Sequence, residues 1–358
     1  MSTREYRRKV AAAVALGLAV VAGADFAVSR LLPAPANCVE SARNPYRFRD
    51  WANFMAGLRD RGDAACVVLI SDSQGYAGEW PAKKSYAARL EALLNERQTG
   101  GFAHWEVCNL SVDGVTPLEY MAAAARLRDE RPTWLISISG SADFRADNFN
   151  QGFAFPRSDL TALATEWKVA RRLPGAFWRR HGKVEDTLTA WVTHRFPLLR
   201  VRDFLWSWLD TRYPGVQKAF YAPRTTYRFW QLPGAPRTEP VPDPFPHRGG
   251  EVLDLTYDER STVLLNEFLD QLAAVPAAHK LVAANPLRSD FAEMREGPWI
   301  AAFREDLARL AAEKGLPFWD LTLALAPEDF ITSNHLHDRG HRKLAGLLAD
   351  RIAAEMEK

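Results

Sequence analysis

The stretch Val67–Tyr76 reads VVLISDSQGY and decides the fold. Its four leading apolar residues, some of them β-branched, predict a short buried strand. The strand passes directly into a polar turn, residues 71–75, that ends in glycine. A strand followed by a small-residue turn and a helix places a side chain at the carboxyl edge of a parallel sheet. Ser73 is therefore a candidate nucleophile, although a serine in such a turn also commonly serves as a helix N-cap.

A histidine-rich stretch near the other end of the chain favours the nucleophile over the N-cap as the role of Ser73. Residues 334–341 read NHLHDRGH, and an amphipathic helix follows them. A serine hydroxyl is a weak nucleophile until a neighbouring base activates it. A late histidine is a candidate for that base.

Four blocks of the chain, taken in order, resemble the SGNH (GDSL-type) hydrolase superfamily. The blocks are Ser71-Asp72-Ser73-Gln74, Asn109–Thr116, Gly140-Ser141-Ala142-Asp143 and Thr332–His341. Their order and their strand context match across about residues 66–350. The resemblance implies a flavodoxin-like, three-layer α/β/α fold with a five-stranded parallel sheet.

The resemblance also implies roles for single residues. Ser73 is the nucleophile and His335 its base, with His337 as the alternative if the register of the loop shifts. The backbone N–H groups of Ser73 and Gly114 are expected to form the oxyanion hole. Two acids, Asp72 and Asp143, match positions that hold loops by accepting backbone N–H groups. His341, in the first turn of the last helix, is expected to be structural.

Two departures from the family pattern affect the catalytic groups. Ala142 stands where the family has an asparagine that donates to the oxyanion, and the neighbouring Ser141 is a candidate substitute. Thr332 stands where the family has the acid that orients the histidine. We therefore expect a Ser–His dyad first, and a triad with Asp329, six residues before His335, second. Asp338 is expected to cap the last helix.

The first 32 residues are predicted to be a signal anchor. Basic residues precede an apolar run from Val10 to Ala24, which is the orientation signal of an exported chain. A spanning helix needs roughly 20 residues, and apolar residues up to position 32 extend the run. Because Ala22-Gly23-Ala24 is a small-x-small site, a cleaved signal peptide is the alternative. We expect a single-pass protein of the cytoplasmic membrane whose catalytic domain is periplasmic or otherwise extracytoplasmic.

The remainder divides into three parts. Residues 33–143 and 251–358 are predicted to be the two halves of the SGNH domain. Residues 144–250 are predicted to be a helical, aromatic-rich insertion. Its aromatic side chains are interpreted either as packing on the main core or as a lid or a face for a membrane or a partner protein.

Composition excludes some classes of function. The net charge of +2 gives no case for nucleic-acid binding. The sequence contains no dinucleotide fingerprint and no phosphate-binding loop, and we predict no cofactor and no metal. Of the three cysteines, Cys66 and Cys108 lie in strands expected to be neighbours. They are predicted to be buried free thiols, with a disulfide as the alternative in an oxidising compartment.

The functional expectation follows from the resemblance and the anchor. Membrane-anchored SGNH proteins with long insertions include the D-alanyl transfer protein of teichoic acid modification and the alginate O-acetylation proteins. These work beside a membrane-bound O-acyltransferase. We expect a serine esterase or O-acyltransferase acting on acyl esters, with acetyl favoured, of an extracytoplasmic glycan. The alternatives are a general periplasmic esterase or lipase, and a catalytically weak scaffold that binds glycan or the membrane partner.

Overall fold

Strands and helices alternate along the part of the chain that the computed structural model describes. It describes residues 51–77, 80, 82–112, 116–144, 160, 163–175, 177–178, 257–290, 298–331 and 334–357, and scattered positions between 5 and 27. The strands are β1 (Ala65–Ser71), β2 (Trp105–Ser111), β3 (Trp134–Ser139), β4 (His279–Ala284) and β5 (Phe318–Asp320). The helices are α1 (Trp51–Arg59), the single turn α2 (Ser73–Tyr76), α3 (Tyr86–Glu96), α4 (Pro117–Leu127), α5 (Trp167–Ala170), α6 (Glu259–Ala273), α7 (Pro298–Glu313) and α8 (Asp338–Met356).

The five strands form one parallel sheet in the order β2-β1-β3-β4-β5. All seven residues of β1 are buried, as expected of a central strand covered on both faces. The strand order reverses direction between β1 and β3. In open α/β sheets, ligands bind at the carboxyl ends of the strands beside such a reversal. The turn after β1, which carries Ser73, lies at that point.

Two apolar cores cover the two faces of the sheet. Alternate residues of β1 enter each core, as the pleat of a strand requires: Cys66, Val68 and Ile70 on one face, and Ala65, Val67 and Leu69 on the other. Helices α1, α4, α6 and α7 supply the first core. Helices α3 and α8 supply the second. The arrangement is the predicted three-layer α/β/α fold.

The predicted elements of the sheet domain are confirmed with small shifts at their ends. Short apolar runs predict strands over residues 134–139 and 280–285. Strand β3 spans the first range, and β4 begins and ends one residue earlier than the second. A threonine followed three residues later by a glutamate predicts a helix start at Thr116. Helix α4 begins directly after it, and the N–H of Thr116 donates to Glu119 Oε2 at 3.0 Å.

The two cysteines in the sheet are free thiols, which confirms the first of the two predictions for them. Cys66 and Cys108 are buried on neighbouring strands. Their sulfur atoms lie 3.9 Å apart, too far for a covalent bond.

Two predicted segments lie largely outside the described residues. Within the described ranges, no helix combines the length and the hydropathy of a membrane-spanning segment. Most of residues 1–32 are not among them, so the anchor stays a prediction. Of the predicted insertion, only residues 144, 160, 163–175 and 177–178 are described. There Phe177 is buried in the first core, whereas Trp167 is 73% exposed.

Candidate active site

Ser73 begins the one-turn helix α2 at the carboxyl end of β1. Asp72 is the N-cap residue, and its Oδ1 accepts the N–H of Gln74 at 2.9 Å. The turn ends at Ala77, which adopts a left-handed backbone with φ of 53°. Ser73 itself is half-buried. The sharp turn therefore holds its hydroxyl at the sheet edge, where solvent reaches it.

Gly75 lets this turn pack directly against β2. A Cβ at this position would lie 2.6 Å from Ser111 Cβ and 2.8 Å from Ser71 Cβ, distances that real carbon atoms do not adopt. Its carbonyl accepts the side-chain N–H of Asn109 at 2.9 Å. The glycine that ends the polar turn and the asparagine that opens the second sequence block thus meet beside Ser73.

His335 contacts Ser73 directly. Its Nε2 lies 3.1 Å from Ser73 Oγ, within the range for proton transfer between a nucleophile and its base. The two residues are 262 positions apart in the chain. The structure therefore brings together the pair that the sequence proposed from its two ends.

A short hairpin holds His335 in place. Phe330 and Leu336 form an antiparallel bridge. The N–H of Ile331 donates to the carbonyl of His335 at 2.7 Å, and the N–H of His337 donates to the carbonyl of Asp329 at 2.7 Å. We refer to residues 329–337 as the histidine loop. Both bonds are made by its backbone, so they fix the direction in which the His335 side chain leaves the chain.

Asp329 is buried and bound to cations of α8. Lys343 Nζ donates to Oδ2 at 2.7 Å, and Arg339 Nε lies 2.8 Å from Oδ1 at an angle that makes an ion pair rather than a hydrogen bond. The N–H of Ala326 also donates to Oδ2, at 3.0 Å. Burial favours the neutral acid, but the Lys343 hydrogen bond, the Ala326 N–H and the two positive charges outweigh it and lower the pKa of Asp329.

These contacts test the second prediction for the acid of the triad, which was that Asp329 orients His335. Among the described residues, none of the hydrogen bonds or ion pairs of the Asp329 carboxylate goes to His335. Its carbonyl, not its carboxylate, belongs to the hairpin that carries the histidine. The structure thus gives the contact between Ser73 and His335, and the choice between a dyad and a triad stays a prediction. Thr332 lies outside the described residues.

The predicted oxyanion groups are described only in part. Gly114 lies outside the described residues, so its role and that of the Ser73 N–H stay predictions. Ser141 is buried and opens the 3-10 turn Ser141–Phe144, which directly follows β3. Because β3 lies beside β1, this turn and the Ser73 turn share one edge of the sheet.

Asn285 is a site-supporting residue that the sequence reasoning missed. It follows β4, and its Nδ2 donates to Asp72 Oδ2 at 3.1 Å. Gly140, at the end of the intervening strand β3, makes this reach feasible, because a Cβ there would lie 2.7 Å from Asn285 Nδ2. Gln74 Nε2 also donates to the carbonyl of Pro286, at 2.8 Å. The sequence feature that could have identified Asn285 is its position as a polar residue directly after a buried strand.

The acids expected to hold loops do so. Asp72 accepts the N–H of Gln74, and Asp143 Oδ2 accepts the N–H of Gly140 at 3.0 Å. Both carboxylates thus satisfy backbone donors in the turns that follow β1 and β3. These contacts confirm the structural roles predicted for them.

The other two histidines of the loop region have structural surroundings. His337 is the N-cap residue of α8, and its ring meets that of Trp80 edge-on with centroids 5.4 Å apart. His341 is buried and stacks on Tyr86 at 5.9 Å, as expected of a structural residue. The prediction that Asp338 caps the helix is wrong. The bond from the His337 N–H to the Asp329 carbonyl keeps His337 extended, so Asp338 is already the first helical residue and pairs with Arg89 at 2.6 Å.

Tyr120 supports the turn that carries Ser73. Its hydroxyl donates to the carbonyl of Ser71, which also accepts the N–H of Val112 at 3.1 Å. Burial raises the pKa of Tyr120 well above its ordinary value, so the phenol stays a donor at any ordinary pH. The hydroxyl therefore adds one hydrogen bond to a carbonyl that already has another.

We expect Tyr120→Phe to lower the free energy of unfolding by about 0.5–1.5 kcal/mol, the ordinary net worth of a hydrogen bond. The Ser71 carbonyl keeps its bond from Val112, so the reactivity of Ser73 should change by less than about twofold. Urea unfolding measures the first quantity. Tyr257→Phe is the matched control, since its hydroxyl donates to Asp306 at 3.1 Å away from the site. A large loss of Ser73 reactivity in Tyr120→Phe alone would contradict this assignment.

No protein-family model matches the sequence, and no curated protein matches it either. The chain is similar in structure to an α/β hydrolase enzyme from the metagenome of Lake Arreo in Spain, with 14% identity, a TM-score of 0.39 and coverage of 81% of this chain and 97% of that one. It is also similar to an acetyl-xylooligosaccharide esterase from Geobacillus, with 12% identity, a TM-score of 0.41 and coverage of 81% of this chain and 95% of that one. A carbohydrate acetylesterase from Sinorhizobium meliloti matches with 11% identity, a TM-score of 0.39 and coverage of 81% of this chain and 99% of that one.

Proposed function

We propose that this chain is a serine ester hydrolase or O-acyltransferase of the SGNH type, with Ser73 as nucleophile and His335 as general base. The observation that carries the proposal is the 3.1 Å contact between His335 Nε2 and Ser73 Oγ at the carboxyl edge of the sheet. A nucleophile within reach of a base, both half-exposed, is the arrangement that acyl transfer through a covalent intermediate requires.

The proposed reaction has two balanced halves. Ser73 Oγ attacks the ester carbonyl carbon while its proton moves to His335 Nε2. The tetrahedral intermediate collapses, the ester C–O bond breaks, and the leaving alcohol takes the proton from His335. Water, or the hydroxyl of a second alcohol, then attacks the acyl group on Ser73 and gives its proton to His335. Ser73 recovers that proton as the acid or the new ester departs.

The substrate we propose is an acyl ester, with acetyl favoured, of an extracytoplasmic glycan. The proposal rests on the predicted anchor in residues 1–32 and on the resemblance to membrane-anchored SGNH proteins of polysaccharide modification. It includes a membrane-bound O-acyltransferase as partner and a periplasmic or otherwise extracytoplasmic position for the catalytic domain. This step is an argument from architecture rather than from the site.

A second candidate function is a catalytically weak scaffold. The observation that favours it is the commitment of the Asp329 carboxylate to Lys343 and Arg339, in a loop that has Thr332 where the family has its acid. An acid that orients the histidine contributes strongly to serine catalysis. A general periplasmic esterase or lipase is the third candidate, and it differs from the first only in substrate.

Covalent labelling with a fluorophosphonate tests the proposal. Ser73 Oγ would attack phosphorus and expel fluoride, so one phosphonyl group should be added to the full chain. Mass spectrometry of the tryptic fragment containing residues 62–83 should place it on Ser73. Folded protein that stays unlabelled, or that is labelled at another residue, would overturn the enzyme proposal. Release of acetate from an acetylated glycan oligomer, with and without an added polyol acceptor, then separates hydrolysis from transfer.

A further inference from the structure

Trp80 joins the segment that follows the nucleophile to the loop that carries the base. Its indole Nε1–H donates to the carbonyl of Leu336 at 3.0 Å. Leu336 is the residue immediately after His335. The indole is 5% exposed, so this hydrogen bond is shielded from competing water.

Backbone hydrogen bonds connect the same tryptophan to Ser73. The N–H of Trp80 donates to the carbonyl of Ala77 at 3.1 Å, and the N–H of Ala77 donates to the carbonyl of Ser73 at 3.0 Å. Ala77 is the left-handed residue that ends the nucleophile turn. A short series of hydrogen bonds therefore runs from the backbone of Ser73 through Trp80 to the backbone beside His335.

Two side chains, His337 and Lys84, contact the indole ring. The ring of His337 meets it edge-on, with centroids 5.4 Å apart. Lys84 Nζ lies 5.4 Å from its centroid, a cation–π distance, and also 3.9 Å from Asp338 Oδ1. Because His337 and Asp338 belong to the start of α8, the ring is fixed against the element that follows the histidine loop.

We propose that Trp80 is a positioning residue that sets the distance between Ser73 and His335. The inference rests on the proposed function and deepens it. Proton transfer needs heavy atoms about 2.6–3.2 Å apart, and the observed contact of 3.1 Å is near the upper end of that range. A displacement of about 1 Å in a catalytic contact can cost about 100-fold in rate. Loss of the Trp80–Leu336 bond frees the histidine loop to move away from the serine.

Trp80→Phe is the direct test, because it keeps an aromatic ring and removes the N–H. Trp105→Phe is the matched control. Trp105 is fully buried, and its Nε1–H donates to the carbonyl of Thr99 at 2.9 Å, at the amino end of β2 and far from the site. Both variants lose one buried indole-to-carbonyl bond, but only one of those bonds touches the catalytic pair. Trp80→Tyr is made alongside in case the phenylalanine variant does not fold.

The first readout is the kinetics of fluorophosphonate labelling, measured on the folded fraction and separated into a binding constant and a limiting rate. We expect Trp80→Phe and Trp80→Tyr to lower the limiting rate about 10- to 100-fold with the binding constant unchanged. Trp105→Phe should leave both values within about twofold. Equal limiting rates in the wild type and both Trp80 variants would overturn the proposal.

The second readout does not depend on ester chemistry. In a Ser73→Cys background, alkylation by iodoacetamide is followed against pH, with the chain that keeps Ser73 as the blank for the native cysteines. A nearby imidazolium lowers the pH at which a thiol becomes reactive. We expect His335→Ala and Trp80→Phe each to shift the profile of the new thiol toward higher pH, and Trp105→Phe not to shift it.

The two readouts separate the failure of each proposal. If the wild type is not labelled but Trp80→Phe shifts the pH profile of thiol alkylation, the proposed function is wrong and the positioning role of Trp80 is supported. If His335→Ala shifts the pH profile of thiol alkylation but Trp80→Phe and Trp80→Tyr do not, the positioning role of Trp80 is wrong. The pairing of residue 73 with His335 is then still supported.

Discussion

His335→Ala is expected to slow covalent labelling of Ser73 by about 10²–10⁴-fold, the usual contribution of a positioned general base. The physical reason is the 3.1 Å contact, through which His335 Nε2 would accept the serine proton in the proposed mechanism as the oxygen attacks. Labelling should vanish in Ser73→Ala. The measurement is the time course of probe incorporation into the full chain, quantified by intact-protein mass.

His104→Ala is the control for this result. His104 is exposed just before β2, and its ring lies 3.7 Å from Glu106 rather than near the catalytic edge. Its removal should leave the labelling rate unchanged. If His335→Ala were labelled as fast as the wild type, the serine would be activated by another group. His337→Ala would then be the next variant, although its ring faces Trp80.

Asp329→Asn is expected to lower the free energy of unfolding by about 1.5–3 kcal/mol at pH 7, the range for hydrogen bonds to charged groups. The carboxylate is fully buried, and its charge strengthens its bonds to Lys343 and to the Ala326 N–H. Lys343 and Arg339 are about half exposed and regain water in the variant. That rehydration keeps the cost below the value for a fully buried ion pair.

The sign of the pH dependence follows from the lowered pKa of Asp329. A carboxyl whose pKa is lower in the folded state stabilises the fold above its unfolded pKa, ordinarily 3.8. That stabilisation is lost as the pH falls through the folded-state pKa. The difference in unfolding free energy between wild type and Asp329→Asn should therefore be constant near neutrality and should shrink below about pH 4.

Chemical unfolding at several pH values measures this difference, and Lys343→Met is the matched variant from the other side of the pair. The double variant should lose less than the sum of the two single losses, because both changes remove the same interaction. The same proteins test the catalytic alternative. Loss of a triad acid costs about 10⁴-fold in rate. Folded Asp329→Asn that is labelled within about tenfold of the wild-type rate would exclude Asp329 as that acid.

Local patterns accounted for most of the sheet domain. Apolar strand patterns alternate with amphipathic helix patterns along the sequence, which predicts a parallel sheet. Strands β3 and β4 lie within one residue of the ranges 134–139 and 280–285 predicted for them. The ends differ because terminal residues of strands and helices depend on loop contacts that no local pattern encodes. Asp338 illustrates this: its place in the helix depends on a bond between His337 and Asp329, which only the folded loop creates.

The candidate site was predictable where its residues follow strand ends. Ser73 and His335 were identified from a turn, a motif order and the need of a serine for a base. Asn285 was not identified, because its bond to Asp72 passes across the end of β3 and depends on Gly140 having no side chain. The engagement of Asp329 by Lys343 was equally hidden, since it requires α8 to pack over the histidine loop. Contacts between distant segments depend on tertiary packing, and the local patterns of a single sequence do not predict them.

The separation of 262 residues between Ser73 and His335 has a consequence for the timing of synthesis. The ribosome makes the chain from its amino terminus, so the nucleophile turn emerges long before the base. The central strand and its neighbours β2 and β3 are complete while residue 335 is still to be added. Under the proposed mechanism, the nascent polypeptide therefore lacks the base of Ser73 until residue 335 has been added and the histidine loop has docked. We expect a chain truncated before Asn334 to be labelled no faster than His335→Ala.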